Sequence, residues 1–111
     1  MVIIISAQQD TMDSTVDQRF GRCHWLIKVD TETLAWEALP NPGVNQSGGA
    51  GVAAAQFVVD QGVAVVASGD FGPNAAAAFR AANIEMRLFT PEVTTVQQAV
   101  ESFKQGKLLP F

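Results

Sequence analysis

Residues 63–67 form an apolar run, Val-Ala-Val-Val-Ala, with no polar interruption. Such a run predicts a strand buried on both faces, of the kind found in the middle of a parallel sheet. Residues 2–5, Val-Ile-Ile-Ile, form a second run of this type and are β-branched throughout. Alternation marks three more strands. Trp25, Ile27 and Val29 alternate with His24, Lys28 and Asp30, with Leu26 the exception. Residues 34–39 alternate again, with Glu37 inside an otherwise apolar segment, and Asp30-Thr31-Glu32-Thr33 reads as the turn between the two. This is the signature of an antiparallel hairpin. Ile84, Met86 and Leu88 alternate with Glu85 and Arg87, which places a strand near an edge.

Three segments carry helical spacing instead. Their apolar sets are Ala50, Ala54, Phe57 and Val58, then Ala75, Ala78, Phe79 and Ala82, then Val96, Ala99, Val100 and Phe103. The punctuation agrees. Pro73 fits a first helical position, and Thr95 with Gln98 three residues on is a capping box. Gly62, Asn83 and Gly106 stand where left-handed C-terminal caps are expected.

The order is therefore β-β-β-α-β-α-β-α. With the first strand central and right-handed crossovers, the predicted α/β fold has a five-stranded sheet of order third, second, first, fourth, fifth. Only the second strand is expected to run antiparallel. The first, third, fourth and fifth strands then end at one rim. The segments 6–23, 41–51, 68–74 and 90–95 gather there, and the winding direction reverses between the first and fourth strands. A binding crevice is expected at that point. The segment 7–21 shows neither period and reads as a long loop, a feature usually tied to function or mobility.

Nearly half the residues are apolar and few are charged, so the chain is expected to fold as one domain spanning 1–111. No apolar run reaches the roughly 20 residues needed to span a bilayer, and no signal peptide is visible, so a soluble cytoplasmic protein is expected. The net charge is −4 and no basic stripe appears. Both argue against nucleic acid as the partner.

The predicted rim holds two helix N-termini fed by glycine loops, together with Arg19, Arg22, Cys23 and His24. Free N–H groups and guanidinium groups favour an anionic ligand. Each glycine loop taken alone is accounted for by turn geometry, and neither matches the P-loop or the dinucleotide fingerprint. Cys23 is the candidate ligand for a metal or iron–sulfur cluster, because a thiolate is soft and neighbouring arginines lower its pKa. Placed within the strand, it would instead share a face with Trp25 and Ile27 as ordinary core. Asp10, Asp13, Asp17 and Asp70 raise a different possibility, a magnesium site for hydrolysis. Against it, the apolar first strand carries no acid. A protein-binding role for the exposed face of the hairpin near Trp36 is a further reading.

Five stretches together resemble the dinitrogenase iron–molybdenum cofactor biosynthesis family, across essentially the whole chain. They are Arg19-Phe20-Gly21-Arg22-Cys23, Asn41-Pro42, Gly48-Gly49-Ala50-Gly51, Gly69-Asp70-Phe71-Gly72-Pro73-Asn74-Ala75 and Gly106-Lys107-Leu108. That family includes the NifX and NafY cofactor carriers and the C-terminal domain of NifB. The resemblance implies a ribonuclease H-like three-layer fold without that enzyme's activity. It further implies a carrier for an iron–sulfur or iron–molybdenum-type cluster that works with cluster-assembly or acceptor proteins. In this chain Arg19 stands where members often have His, and Ser47-Gly48-Gly49 stands where many have Gly-His-Gly. The expected metal ligands are therefore Cys23 and His24. Arg19, Arg22, Gly49, Gly51, Gly72 and Asn74 are expected to hold the cluster's charge. The alternative is a module for a small anion or nucleotide without metal.

Overall fold

β1 (Val2–Ala7) runs through the centre of one mixed sheet, in a computed structural model that describes all 111 residues. β2 (Trp25–Asp30) pairs antiparallel with β1, and β3 (Trp36–Pro40) pairs antiparallel with β2. On the other side β4 (Val65–Ser68) lies parallel to β1, and β5 (Glu85–Leu88) lies parallel to β4. This is the expected order of five strands. The structure adds a sixth, β6 (Leu109–Pro110), antiparallel to β5 at the edge. The expectation of five strands with a single antiparallel member is corrected accordingly. Two residues ending in proline leave no period for sequence reading to detect.

The three helices are α1 (Ala50–Asp60), α2 (Pro73–Ala81) and α3 (Val96–Lys104). They cover both faces of the sheet. Ile4, Leu26 and Val66 pack with Ala54, Val58, Ala75 and Phe79 of α1 and α2. Ile3, Ile5, Ile27 and Ala67 pack with Val96, Ala99 and Val100 of α3. Burial of both faces explains why residues 2–5 show no alternation, and why Leu26 broke the alternation of β2. The helix ends follow their punctuation. Gly62, Asn83 and Gly106 have φ of +69°, +59° and +71°. Thr95 and Gln98 form the reciprocal capping box at the start of α3.

The long segment between β1 and β2 is tied down over the strand ends. Val16 bridges to Ala7, and Thr15 bridges to Thr95. Beneath them lies a small polar tie. The Ser6 hydroxyl donates to the Asp17 carbonyl at 2.7 Å and lies 2.7 Å from the Ser68 hydroxyl. The Asp17 N–H returns a bond to the Ser6 carbonyl at 2.9 Å. Ser6 and Ser68 are fully buried, so these groups have no water to replace a lost partner. At Gly69 the loop backbone approaches so closely that a Cβ would stand 2.6 Å from Gln18 Cα. The tie predicts that Ser6→Ala costs about 1–3 kcal/mol of stability. A stability loss in urea of less than roughly 0.5 kcal/mol, at unchanged m-value, would show that the loop is held by other contacts.

Candidate functional site

The glycine-rich segment ahead of α1 places that helix against backbone rather than side chains. A Cβ on Gly21 would stand 3.1 Å from Gly51 Cα and 3.2 Å from Gly51 N. One on Gly43 would collide with the Ala50 carbonyl oxygen. Glycine at 21 and 43 therefore lets these chain segments meet α1 at backbone distance. Gly49 supplies the entry turn with φ +74°, and no side chain caps the first turn of α1. Gly72 precedes α2 in an extended conformation, Pro73 takes the first helical position, and no side chain caps this helix either.

The two uncapped N-termini open on one cleft of about 310 Å³, at the lower end of small-molecule sites. Gly49, Ala50, Gly51 and Val52 form one wall, and Gly72, Pro73, Asn74 and Ala75 form the other. Phe20, Gly21 and Arg22 line it from the loop after β1. Arg22 donates from Nη1 to the Gln46 carbonyl at 2.9 Å, which steadies its guanidinium beside α1. Phe20 is held in turn by Phe71 and Phe79, with ring centroids at 5.5 and 5.2 Å. No carboxylate lines the cleft. Unpaired helix N–H groups, two positive dipole ends and one arginine make it a place for negative charge.

Of the residues expected from sequence, Arg22, Gly49, Gly51, Gly72 and Asn74 come together here. Arg19, Cys23 and His24 are not among the residues lining the cleft. Arg19 is exposed, and its Nε lies 3.7 Å from Asp17 Oδ1. His24 is exposed at the head of β2. Cys23 departs furthest from the expected ligand role, for it is fully buried. It lies just before β2 and packs with Phe20, Leu26 and Val58 under α1, not on the Trp25 side of the sheet. Its thiol donates to the Phe20 carbonyl at 3.1 Å and sits 3.5 Å from Asn41 Nδ2. Burial foremost, and then the Asp17 charge, push the thiol pKa up from 9.0 to about 12. The arginines thought to lower it point to solvent or to Gln46. The acids of the magnesium reading do not assemble either, since no three histidine, cysteine or acidic side chains form a metal-holding group.

Sequence reading assigned no role to Phe20, Gly21 or Asn41. Asn41 is buried, donates to the Cys23 carbonyl at 2.8 Å and accepts from Gly43 N–H at 2.9 Å. It thereby fixes the end of β3 to the segment just before β2. Their adjacency to glycine and proline was the available signal, but only the fold shows what they touch.

An α/β domain with an anion-seeking cleft where two helix N-termini meet is the class that this geometry defines. The chain belongs to the dinitrogenase iron–molybdenum cofactor family, which matches residues 1–106. Among solved structures it is similar to the apo form of the orange protein from Desulfovibrio gigas. The two are 35% identical over 99% of this chain and 92% of that one, with a TM-score of 0.92. A NifB-like protein from Thermotoga, placed in the DUF35 family, is 28% identical over 98% and 91% of the two chains, with a TM-score of 0.82. A dinitrogenase-type protein from Methanocaldococcus jannaschii shares the fold at 15% identity, over 100% of this chain and 94% of that one, with a TM-score of 0.70. No curated protein sequence matches the chain.

The sealed thiol generates a prediction with a definite sign. The folded thiol stays protonated up to about pH 12, while the unfolded one ionises near 9.0. Stability from this group is complete below pH 9 and falls as pH rises toward 12, because the unfolded chain then binds fewer protons. Native protein at pH 8 should therefore resist a chromogenic disulfide reagent that labels the urea-unfolded chain completely. Rapid labelling of the native state would place the thiol at the surface.

Proposed function

We propose that this chain is a non-enzymatic binding or carrier protein for an anionic iron–sulfur-based metal cluster, of the iron–molybdenum cofactor or precursor type. Its work is accessory to metallocluster assembly in the cytoplasm, and it exchanges its cargo with assembly or acceptor proteins. The observation that carries this reading is the cleft where two uncapped helix N-termini face each other beside Arg22. Membership of a family defined by the iron–molybdenum cofactor supplies the class of cargo. That a 35% identical relative is described in an apo form agrees with a protein whose normal state is loaded. The strand order and the helices on both sheet faces support reading the fold as ribonuclease H-like.

In this reading the backbone N–H groups of residues 49–52, Gly72, Asn74 and Ala75, with Arg22, hold the negative charge of the cluster. Arg19, at the exposed end of the same loop, adds long-range attraction. Cys23 holds the loop from inside, and its protonated, buried thiol is not the grip. His24 stands outside the cleft and is free to take part in handover.

A second reading has its own support. The cleft lining contains no cysteine, histidine or acid, so nothing there requires the ligand to contain metal. A small anion or nucleotide could be held by the same groups.

Anaerobic incubation with a purified anionic iron–molybdenum–sulfur cluster, followed by gel filtration, metal analysis and visible absorbance, tests the proposal. Wild type and Cys23→Ser should retain the cluster. Arg22→Ala should weaken retention roughly 10- to 100-fold, the worth of one charge-assisted hydrogen bond. Gly72→Asp separates binding from folding. A Cβ at Gly72 meets nothing within 4 Å, and an aspartate there would cap α2. This variant should be as stable as wild type or a few tenths of a kcal/mol more so, yet lose the cluster. Equal retention by all variants would remove the cluster from this cleft. A thermal shift with phosphate-bearing ligands, abolished by Arg22→Ala and insensitive to metal removal, would favour the second reading.

A further inference from the structure

The chain beyond α3 forms a strap across the edge of the sheet. Gly106 turns it with φ +71°, and Leu108 is buried in the core beneath α3. β6 follows, and it is a weak tether. It pairs with β5 at two positions, Arg87 with Pro110 and Leu88 with Leu109, and Pro110 has no N–H to give. Phe111 lies three residues beyond Leu108. That odd separation along an extended segment turns its side chain to the opposite face of the sheet, the side of α1 and α2.

There Phe111 meets the helix that opens on the cleft. Its ring stands 5.2 Å from that of Phe71 at an interplanar angle of 75°, an edge-to-face pair. The Arg80 guanidinium lies over the same ring, 5.7 Å from its centroid. Phe71 immediately precedes Gly72, and Arg80 stands in the last turn of α2. One ring thus touches the chain at both ends of that helix. Phe71 in turn packs on Phe79 at 5.9 Å and on Phe20 at 5.5 Å, and Phe20 lines the cleft. Phe20 and Phe79 are sealed inside, whereas Phe111 is 43% exposed. Phe111 is therefore the outer wall of this aromatic cluster, and its removal opens no cavity in the core. The turn at 69–72 is fixed on its inner side, where Gly69 backs onto Gln18. Phe111 supplies the outer side. Amide hydrogen bonds weaken outside a window of about 0.5 Å. The grip of the cleft on an anion thus depends on how firmly the start of α2 is held relative to the start of α1.

We propose that Phe111 is a positioning residue for the anion cleft, bracing α2 against the sheet edge and so setting the spacing of the two helix starts. The inference rests on the reading of that cleft as the anion site. It goes beyond that reading because residues 107–111 lie outside the family match over 1–106 and line no part of the cleft. The effect of Phe111 is bounded by the worth of its own contacts, one aromatic pair and one cation–π contact, or roughly 3- to 10-fold in affinity.

Phe111→Ala and Phe111→Tyr test it, the second keeping the ring at a position where a hydroxyl reaches water. Anaerobic retention of the purified anionic iron–molybdenum–sulfur cluster should weaken roughly 3- to 10-fold in Phe111→Ala and return to the wild-type level in Phe111→Tyr. Hydrogen exchange in the free protein separates positioning from a general loss of stability. Ala53 N–H donates to the Gly49 carbonyl and Ala76 N–H to the Gly72 carbonyl, both at 3.0 Å, in the first turns of α1 and α2. In Phe111→Ala the Ala76 amide should exchange faster by roughly threefold or more, while Ala53 keeps its rate. A wild type that retains the cluster beside a Phe111→Ala chain that retains it equally overturns the role of Phe111. So does equal acceleration at Ala53 and Ala76. A wild type that retains no cluster overturns the reading of the cleft, and this role with it.

Discussion

Everything at the binding rim depends on chain segments that touch through backbone alone. Gly21 lies against Gly51 with only a tight fit for a β-carbon, and Gly43 lies against Ala50 with no room for one. These contacts hold the first turn of α1 against the loop after β1. The loop is itself pinned by the Ser6, Ser68 and Asp17 tie over the ends of β1 and β4. Move any of the three segments outward by the width of a methyl group and the two helix N-termini no longer face one cleft. The hydrophobic layers on either side of the sheet are more forgiving, because apolar side chains of similar volume can replace each other.

The charge of the cleft runs against that of the molecule. The chain carries a net −4, yet its candidate site is lined by one arginine, unpaired amides and no acid. Local backbone dipoles rather than overall charge set the potential there. The arrangement also explains why composition alone says little about the ligand. Only the convergence of two helix starts gives the dipoles an effect, and convergence is a property of topology.

Much of that topology was legible in the sequence. The runs at 2–5 and 63–67 located the central parallel pair. The pattern of β2 and β3 located the hairpin, and Thr95, Gly62, Asn83 and Gly106 located helix ends, because each needs a specific local chemistry. The meeting of Arg22, Gly49, Gly51, Gly72 and Asn74 followed from strand order. What escaped was decided by packing. Cys23 follows Arg19 and Arg22 closely in sequence, but its thiol turns inward to a carbonyl while Arg22 turns outward to Gln46. A one-dimensional neighbourhood cannot distinguish those directions. β6 escaped because two residues give no pattern, and Asn41 because its partners lie 18 and 2 positions away on opposite sides of a turn.

A cleft furnished with amide hydrogens and a guanidinium has a further property. Neither group gains or loses a proton across the range of pH in which proteins stay folded. The attraction that this site exerts on an anion is thus set by geometry and dissolved salt, with acidity acting only through the guest. In the proposed reading, where amide hydrogens and Arg22 hold the guest, departure breaks no coordinate bond and needs no ligand exchange. A visitor leaves as readily as its hydrogen bonds to the two helix starts let go, or when another surface offers it more of them.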